Sequence, residues 1–314
     1  MSPSFRILFM GTSDFAVPAF KALAEAGHEL VLVVTQPDRP AGRGLELKAS
    51  PLKLAALEKG IEVFQPEKIK TAEALEKLHS LDVDVAVVAA YGQILPGDVL
   101  RLPKLACLNI HGSILPKYRG AAPIHYAVMA GEKETGVTIM YMNEKMDEGD
   151  ILLVRKTPIG PEETTGDVHD RLAQLGSEGL LEALGLLAEG KAPRTPQDHS
   201  KATYAPSLKR EQCVIRWDRT AKEVVDHIRG LNPWPVAETR WKQMSLKVLS
   251  ARSATDDRQG KPGEVLLIDK AGISVGTGKG AVVVKEVQPP GKRRMSAYDF
   301  TLGQPNFKKG EMFS

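Results

Sequence analysis

Residues 6–34 read RILFMGTSDFAVPAFKALAEAGHELVLVV. The apolar run at 7–10 predicts a buried strand, a helical pattern follows over 17–26, and a second apolar run at 30–34 predicts another strand. Gly27 is well placed to end the helix, because glycine readily adopts the left-handed conformation found after helix C-termini. This strand–helix–strand alternation is typical of an α/β fold with parallel strands.

The same alternation continues through the first half of the chain. Ser50 followed by Pro51 predicts the start of a helix that Gly60 ends, and Thr71 predicts another helix start. Further strands are predicted at 83–89, 105–110, 137–142 and 151–156, and further helices at 123–130 and 168–188. We therefore expect an α/β domain with a Rossmann-like, mostly parallel sheet.

Composition changes after residue 188. Residues 189–206 contain Pro193, Pro196 and Pro206 among polar side chains and show little periodicity. Such a segment is typical of a linker between domains. We therefore expect a first domain over 1–188, a linker over 189–206 and a second domain over 207–314.

Residues 207–314 predict a small β domain. Thr220 and Glu223 have the spacing of a capping box, which predicts a short amphipathic helix to residue 231. Short strands separated by turns are then predicted at 236–241, 246–251, 264–268, 273–276 and 281–287. This density of short strands favours a small barrel, with an OB-like fold as the leading candidate.

Length and composition exclude several classes of protein. The 314 residues are 42% hydrophobic and 26% charged, so collagen-like and wholly disordered chains are excluded. Two cysteines, Cys107 and Cys213, are too few for a disulfide framework and favour a reducing compartment. No window reaches the ~20 apolar residues of a membrane span, and residues 1–6 lack a signal-peptide pattern. We expect a soluble cytoplasmic protein with no membrane partner.

The net charge of +3 hides an asymmetry along the chain. Residues 1–205 carry 22 Lys and Arg against 27 Asp and Glu, whereas residues 206–314 carry 20 against 12. The basic second half predicts an anionic partner, with Lys209 and Arg210 among the side chains that would contact phosphates. A merely solvated basic surface is the alternative. We expect the tryptophans to lie in a core or a domain interface rather than stack on bases: Trp217, Trp234 and Trp241.

Two loops of the first half bear on what it binds. The turn after the first strand has one glycine, Gly11, where a dinucleotide fingerprint needs three, which argues against a nicotinamide enzyme. The loop over 36–44 carries Arg39 and Arg43, and loops at the carboxyl ends of strands line the ligand crevice in this architecture. It is either a solvated loop or a contact for a phosphate backbone.

The segment LNIHGSILPKYRG, at 108–120, contains the sharpest candidate for chemistry. Asn109 and His111 point the same way if both lie at a strand end, because strand side chains alternate between faces. An amide can donate to a developing oxyanion, and an imidazole can donate or move a proton near neutral pH. Tyr91 and Gly92 leave a buried strand in a loop whose composition suits a planar heterocycle. Acyl chemistry is the reaction class that this composition favours.

A third group is needed to orient the imidazole or to take a proton. The loop over 143–150 follows another predicted strand, so it is in a position to reach the same ligand crevice. It offers four carboxylates, those of Glu144, Asp147, Glu148 and Asp150. Their spacing does not match a calcium loop, and no neighbouring Cys or His completes a metal site. The residues alone leave the choice among the four open.

Taken in order, these segments resemble the formyltetrahydrofolate-dependent formyltransferase family. The motifs are QPDRPAGR at 36–43, Asn-x-His-Gly-Ser-x-Leu-Pro at 109–116, YRGAAP at 118–123, Met-Asp-x-Gly-Asp at 146–150 and NPWP at 232–235. The basic loop and the appended basic domain are similar to the branch of the family that acts on tRNA. Ile114 stands where the family usually has leucine, a conservative departure.

The resemblance implies site residues that the pattern alone does not decide. It implies catalytic roles for Asn109, His111 and Asp147. It implies that the co-substrate, 10-formyltetrahydrofolate, contacts a short run of residues and places its pterin near a second loop: Ser113, Ile114, Leu115 and Pro116, with Tyr91 and Gly92. No metal is implied.

The resemblance also implies the acceptor and the partner. The α-amine of methionine on initiator tRNA would accept the formyl group, with the OB-like domain binding the tRNA. The expected tRNA contacts are Arg39, Arg43, Lys209 and Arg210. We expect a monomer.

Three other functions compete with this one. A formyltransferase acting on a nucleotide-linked amine keeps the chemistry but does not need the basic domain. An enzyme that hydrolyses formylfolate would release folate without an amine acceptor. An RNA-binding module with a silent α/β half is disfavoured by the presence of Asn109, His111 and Asp147.

Overall fold

The computed structural model describes residues 4–41 and 46–314 of the chain. Contacts between residues divide it into two units. The first unit holds the described residues up to 123 with 135–157 and 169–206, and the second holds 124–134, 158–168 and 207–314. Two segments of the front half, 124–134 and 158–168, therefore belong to the same unit as the back half. Residues 189–206, predicted as the linker, fold with the front half.

A seven-stranded sheet forms the centre of the first unit. The strands of the front half are β1 Arg6–Gly11, β2 Glu29–Val34, β3 Arg39–Ala41, β4 Glu46–Lys48, β5 Val63–Phe64, β6 Val85–Ala89, β7 Ala106–His111, β8 Glu134–Tyr141 and β9 Ile151–Pro158. The sheet order is β5–β2–β1–β6–β7–β8–β9, and β3 pairs with β4 separately. The five strands from β5 to β7 in this order are parallel, whereas β8 is antiparallel to β7.

Helices connect these strands and are capped as the sequence predicts. Their bounds are α1 Val17–Glu25, α2 Pro51–Glu58, α3 Ala72–His79, α4 Gly97–Leu100, α5 Pro123–Met129 and α6 Thr165–Ala188. The Ser50 hydroxyl accepts a hydrogen bond from the Lys53 amide at 3.1 Å, and the Thr71 hydroxyl accepts one from the Ala74 amide at 3.3 Å. These bonds satisfy amide donors that a helix start leaves unpaired.

The order of the strands positions the loops that can bind a ligand. β2 lies on one side of β1 and β6 on the other, so the chain leaves the carboxyl ends of β1 and β6 in opposite directions. This reversal opens a crevice at the carboxyl edge in α/β sheets. The Thr12 hydroxyl, just after β1, donates to the Tyr91 carbonyl, just after β6, at 3.0 Å. The two loops are therefore tied together at that edge.

The second unit is built on a six-stranded antiparallel sheet. Its elements in 207–314 are α7 Ala221–Gly230, β10 Ala237–Trp241, β11 Met244–Ser253, β12 Val265–Asp269, β13 Gly272–Gly276, β14 Ala281–Gln288, β15 Met295–Ser296 and α8 Ala297–Leu302. The Thr220 hydroxyl accepts from the Glu223 amide, and the Glu223 carboxylate accepts from the Thr220 amide at 2.9 Å. The capping box predicted before α7 is confirmed.

The last residues of the chain join the two edges of this sheet. The order is β10–β11–β14–β13–β12. Arg240 in β10 exchanges backbone hydrogen bonds with Ser314, and Val265 in β12 donates to the Glu311 carbonyl. The joined edges enclose a core that contains Trp217 and Trp241. Joining the edges leaves no open strand there and is how a small barrel is closed.

The predicted fold class is confirmed: a mostly parallel α/β front half and a small antiparallel β back half. One prediction differs in detail. The strand predicted over 137–142 begins at Glu134 and runs antiparallel to β7. Periodicity shows that a segment is extended but carries no information about the direction of its partner. The β3–β4 hairpin was not predicted from the sequence.

Candidate active site

β7 brings the predicted amide and imidazole to one face of the sheet. Asn109 pairs with Met140 of β8 and His111 pairs with Thr138, so the two side chains are two residues apart on the same face. His111 is 5% exposed, and Asn109 is partly exposed. Within the part of the chain that the structure describes, the side-chain amide of Asn109 has no hydrogen-bond partner. It is therefore available to a substrate.

The imidazole of His111 is held by a backbone carbonyl. Nε2 lies 3.0 Å from the carbonyl oxygen of Tyr118. Because a carbonyl oxygen only accepts hydrogen bonds, Nε2 carries the proton in this contact. Nδ1 lies 3.7 Å from Oδ2 of Asp147, beyond hydrogen-bond distance. Nδ1 is therefore the ring nitrogen left for chemistry, beside a carboxylate that stabilises positive charge on the ring.

Asp147 reaches His111 from a strained loop. Its φ is 53°, in the left-handed region that few residues except glycine adopt without cost. The Gly120 amide donates to Oδ2 of Asp147 at 2.8 Å. At Gly149 a Cβ atom would collide with the carbonyl of Tyr141, so the loop closes tightly against the end of β8.

The route of this loop differs from the predicted one. Since β8 is antiparallel to β7, the loop over 143–150 does not leave from the carboxyl edge of the parallel strands. It folds back so that Asp147 meets His111. The loop was expected near the site because it follows a strand, and that reason was wrong. Contacts made by the loop itself bring Asp147 close to His111.

Three of the four acidic side chains of the loop face different basic groups. Asp147 faces His111, and its side chain is 15% exposed. Glu144 lies 3.5 Å from Arg101, and Glu148 lies 3.2 Å from Arg119. The geometry therefore favours Asp147 as the partner of the imidazole.

Two further titratable groups near the candidate site are unsuited to catalysis. Burial raises the pKa of the Cys107 thiol to about 12, so this neighbour of Asn109 on the same face of β7 stays protonated at neutral pH. Burial likewise raises the pKa of the Tyr91 phenol to about 12. Neither group is a nucleophile or a base near neutral pH.

The segment expected to contact folate is a rigid loop after β7. Ser113 is buried, and its hydroxyl donates to the Lys117 carbonyl at 2.6 Å. The Thr138 hydroxyl donates to the Ser113 carbonyl at 2.7 Å and accepts from the Leu115 amide at 3.1 Å. Leu115 is buried, whereas Ile114 and Pro116 are partly exposed. The Ser113 hydroxyl and the Leu115 amide thus have partners within the protein.

The loop after β6 offers backbone and an apolar side chain. Tyr91 is 2% exposed with its ring in the core, while Gly92 is exposed with a φ of 87°. The Tyr91 carbonyl accepts a hydrogen bond from Nε2 of the Gln36 side chain at 3.2 Å. Ile94 is 79% exposed. An exposed apolar side chain beside backbone polar groups fits a flat heterocycle, so the residues present suit a pterin.

The residues expected to contact tRNA come from both halves of the chain. Arg39 is exposed on β3, and Arg43 lies outside the described residues. Lys209 and Arg210 are exposed in the second unit. The tryptophans differ in burial from one another: Trp217 and Trp241 are 5% and 6% exposed, whereas Trp234 is 65% exposed. The core position predicted for Trp217 and Trp241 is confirmed, and burial of Trp234 is not found.

Sequence reasoning missed three residues around the imidazole and the carboxylate. Tyr118 and Arg119 follow His111 within the segment quoted above, so a Tyr-Arg-Gly run after a strand-end histidine was a usable signal. Gln197 lies in the segment predicted as a linker. No local pattern marks it, because its role depends on contacts with distant residues.

An amide and an imidazole lie on one strand face, and a carboxylate lies beside the imidazole; such groups are able to stabilise the charge that develops in acyl-group transfer. The formyl transferase family model matches residues 5–184, and the model for the formyl transferase C-terminal domain matches 207–305. The chain belongs to the formyl transferase family. The resemblance inferred from the motifs is confirmed.

Relatives match along nearly the whole chain. Methionyl-tRNA formyltransferase of Pelotomaculum thermopropionicum is 51% identical over 303 residues, which cover 96% of each chain. Methionyl-tRNA formyltransferase of Bacillus subtilis is 46% identical over 299 residues, which cover 95% of this chain and 94% of the relative.

Solved structures share the fold at lower identity. HypX from Aquifex aeolicus in complex with tetrahydrofolic acid has a TM-score of 0.67 and 20% identity; the match covers 99% of this chain but 51% of HypX, so this chain spans about half its length. The sugar 3N-formyl transferase WlaRD has a TM-score of 0.68 and 18% identity, with 93% of this chain and 100% of WlaRD covered.

Over residues 4–41 and 46–314, no group of three or more His, Cys, Asp or Glu side chains is arranged to hold a metal ion. Among the helices described, none has the length and apolar character needed to cross a bilayer.

Proposed function

We propose that this chain transfers the formyl group of 10-formyltetrahydrofolate to the α-amine of methionine on initiator tRNA. The approach of His111 Nδ1 to Asp147 Oδ2, at 3.7 Å on the face that carries Asn109, is the observation that carries the proposal. Family membership supplies the formyl-transfer chemistry. Relatives that share about half of the residues over nearly the full length support methionyl-tRNA as the acceptor.

The chain's own groups stabilise the charge that develops during transfer. When the amine attacks the formyl carbon, the carbonyl oxygen becomes negatively charged. The Asn109 side-chain amide donates a hydrogen bond to that oxygen. Because Nε2–H of His111 is bound to the Tyr118 carbonyl, Nδ1 donates a second hydrogen bond only after it has taken the proton released by the attacking amine. A fixed donor of this kind lowers the barrier because it is oriented before the charge appears, and losing one costs about 100-fold or more in rate.

The carboxylate handles the proton. The attacking nitrogen becomes positively charged when it bonds to the formyl carbon, and its proton must leave before the C–N bond to N10 breaks. Asp147, held by the Gly120 amide, stabilises the protonated His111 ring and takes part in moving this proton to the departing N10. The nitrogen of the acceptor ends as an amide, and N10 ends protonated.

Each substrate has candidate contacts in this chain. The pterin is held by the loop carrying Tyr91, Gly92 and the exposed Ile94, and by the loop over 113–116. The tRNA is held by basic side chains, with Arg39 and Arg43 in the first half and Lys209 and Arg210 in the second. Residues 207–314 supply most of the tRNA-binding surface, the protein works as a monomer, and its location is the cytoplasm.

The test uses a formyl donor with an isotopic label. The purified protein is incubated with labelled 10-formyltetrahydrofolate and methionyl-tRNA of the initiator type, with elongator methionyl-tRNA as the matched control. We expect label on the methionine amine, faster with the initiator. Label on a nucleotide-linked amino sugar instead, release of free formate without an acceptor, or tRNA binding without any transfer would each overturn the proposal.

A further inference from the structure

Arg119 is a buried charged side chain of the first unit. It is 1% exposed. Nε and Nη2 donate to Oε1 of Gln197 at 3.2 and 2.7 Å, Nη2 also contacts Nδ1 of His199 at 3.0 Å, and Nη1 lies 3.2 Å from the Glu148 carboxylate. A buried guanidinium is tolerated only when its charge is paired and its donors are used. The Arg119 guanidinium is therefore a fully paired structural group.

The contact with Arg119 fixes the orientation of the Gln197 amide. Gln197 is 6% exposed, and its Oε1 faces a guanidinium, which can only donate. Its Nε2 is thereby turned the other way, where it donates to the carbonyl of Asp147 at 2.9 Å and to the carbonyl of Gly149 at 2.8 Å. Gln197 thus holds the backbone on both sides of Glu148.

The loop needs such a restraint. Asp147 has a left-handed φ of 53°, a conformation that persists only where the surroundings hold it. The two hydrogen bonds from Gln197 act on that residue and on its second neighbour, Gly149. They fix the peptide units that aim the Asp147 carboxylate at His111.

The backbone around Arg119 reaches both partners of the candidate site. Tyr118 supplies the carbonyl for His111 Nε2, and Gly120 supplies the amide for Asp147 Oδ2. This backbone is itself held by residues just after Gln197, because the Arg119 amide donates to the Thr203 carbonyl at 2.8 Å and the Ala205 amide donates to the Arg119 carbonyl at 2.7 Å. One hydrogen-bond network therefore holds both the His111 imidazole and the Asp147 carboxylate in place.

We propose that Arg119 and Gln197 are positioning residues that hold Asp147 in register with His111. The inference rests on the proposed function, since it assigns these residues to the formyl-transfer step. They touch neither substrate. They act through the backbone carbonyls of Asp147 and Gly149, and through the segment at 118–120.

The sharpest test is Gln197→Glu. The carboxylate keeps the shape of the side chain and still accepts from Arg119, but it cannot donate to the two carbonyls and repels them. We expect kcat for methionyl-tRNA formylation to fall by about 10- to 100-fold, since a shift of about 1 Å at reacting groups has effects of that size. KM for both substrates is expected to stay within about threefold, because neither binding surface is altered.

A double-mutant cycle separates positioning from general destabilisation. If Gln197 acts through the Asp147 carboxylate, Gln197→Glu should add little to the loss already caused by Asp147→Asn, because neighbours in one network do not contribute independently. Leu184→Ala, a fully buried change in α6, is the matched control: it lowers the unfolding temperature but should leave kcat near the wild-type value.

Arg119→Lys provides a second variant if Gln197→Glu does not fold. Lysine keeps a positive charge opposite Glu148, but a single ammonium group cannot contact Glu148 and Oε1 of Gln197 at once. We therefore expect a smaller fall in kcat than with Gln197→Glu, at unchanged KM. Wild-type kcat in either folded variant, or a loss from Gln197→Glu that is undiminished in the Asp147→Asn background, would overturn the inference. Absence of transfer in the wild-type protein would instead overturn the proposed function.

Discussion

The two units of this protein differ in how they use most of their charged groups. At the candidate site of the first unit, charged and polar side chains are buried and hydrogen-bonded within the protein: Arg119, Gln197 and His111 are 1%, 6% and 5% exposed. The second unit buries one ion pair, Arg229 with Asp226, around an apolar core cluster, and basic side chains such as Lys209 and Arg293 are exposed. The first arrangement fixes distances, and the second offers charge to a partner.

This difference has consequences for mutation. Groups that act by geometry lose most of their effect when one member moves, and their losses are not additive. Exposed charges that act on a polyanion contribute small, similar increments that salt screens. The two units should therefore respond to substitution and to salt in different ways.

His111→Ala should give the largest effect. It removes a donor for the developing oxyanion and the ring that Asp147 stabilises, so we expect turnover to fall by at least about 100-fold. Affinity for tRNA should barely change, because this side chain is buried. Single-turnover transfer of label and a separate tRNA-binding titration measure the two quantities. A near-normal rate would show that the imidazole has no role in the reaction.

Neutralising the basic run of the second unit should have an intermediate effect. Replacement of Lys292, Arg293 and Arg294 by alanine removes three exposed charges between β14 and β15. We expect tRNA affinity to fall on the order of 30-fold at low salt, with a shallower dependence of affinity on salt concentration, because fewer counterions are released. The single-turnover rate at saturating tRNA should be unchanged. An unaltered salt slope would place the tRNA contacts elsewhere.

Trp217→Phe tests whether a core tryptophan of the second unit only stabilises the fold. Its ring stacks on Phe313, and its Nε1 donates to the Thr239 hydroxyl at 3.0 Å. Losing the indole N–H should lower the free energy of unfolding by about 1 kcal/mol, the usual worth of a buried hydrogen bond. Denaturant unfolding measures this loss. A drop in tRNA affinity of the folded variant would mean that the ring also contacts the nucleic acid.

The smallest effect concerns the capping box of α7. Hydrogen bonds from Thr220 lower the pKa of the Glu223 carboxyl below its usual 4.5 in the folded protein. Because the pKa is lower in the folded than in the unfolded protein, the ionised Glu223 carboxylate stabilises the fold. This stabilisation is fully present above the unfolded pKa and is lost as the pH falls through the folded pKa. The difference in unfolding temperature between wild type and Glu223→Gln should therefore shrink between about pH 6 and about pH 3. A difference that stays constant with pH would contradict the assignment.

Much of the fold follows from local sequence. Apolar runs, the caps at Ser50 and Thr71, and the box at Thr220 and Glu223 are properties of neighbouring residues, so they can be recognised without contacts. The pairing direction of β8 could not be recognised in this way. A strand buried on both faces shows the same apolar run whether it lies parallel or antiparallel to its neighbour. The closure of the second sheet by residues 311–314 also depends on partners far away in the chain.

The candidate site divides in the same way. Alternation along β7 was enough to put Asn109 and His111 on one face. The choice of Asp147 among four acids came from family resemblance, and the structure supports it with a distance. The positions of Arg119 and Gln197 as partners were outside the reach of any pattern, because they are 78 residues apart in the chain.

By itself, the sequence determined the α/β and β halves, the basic back half and the amide–imidazole pair, since each depends on residue type and short-range period. Tertiary structure alone decided which ring nitrogen of His111 remains for chemistry and how Asp147 reaches it. These depend on a carbonyl at Tyr118 and an amide at Gly120, and any residue type has those groups. Backbone groups act through position, and only the folded chain gives them one.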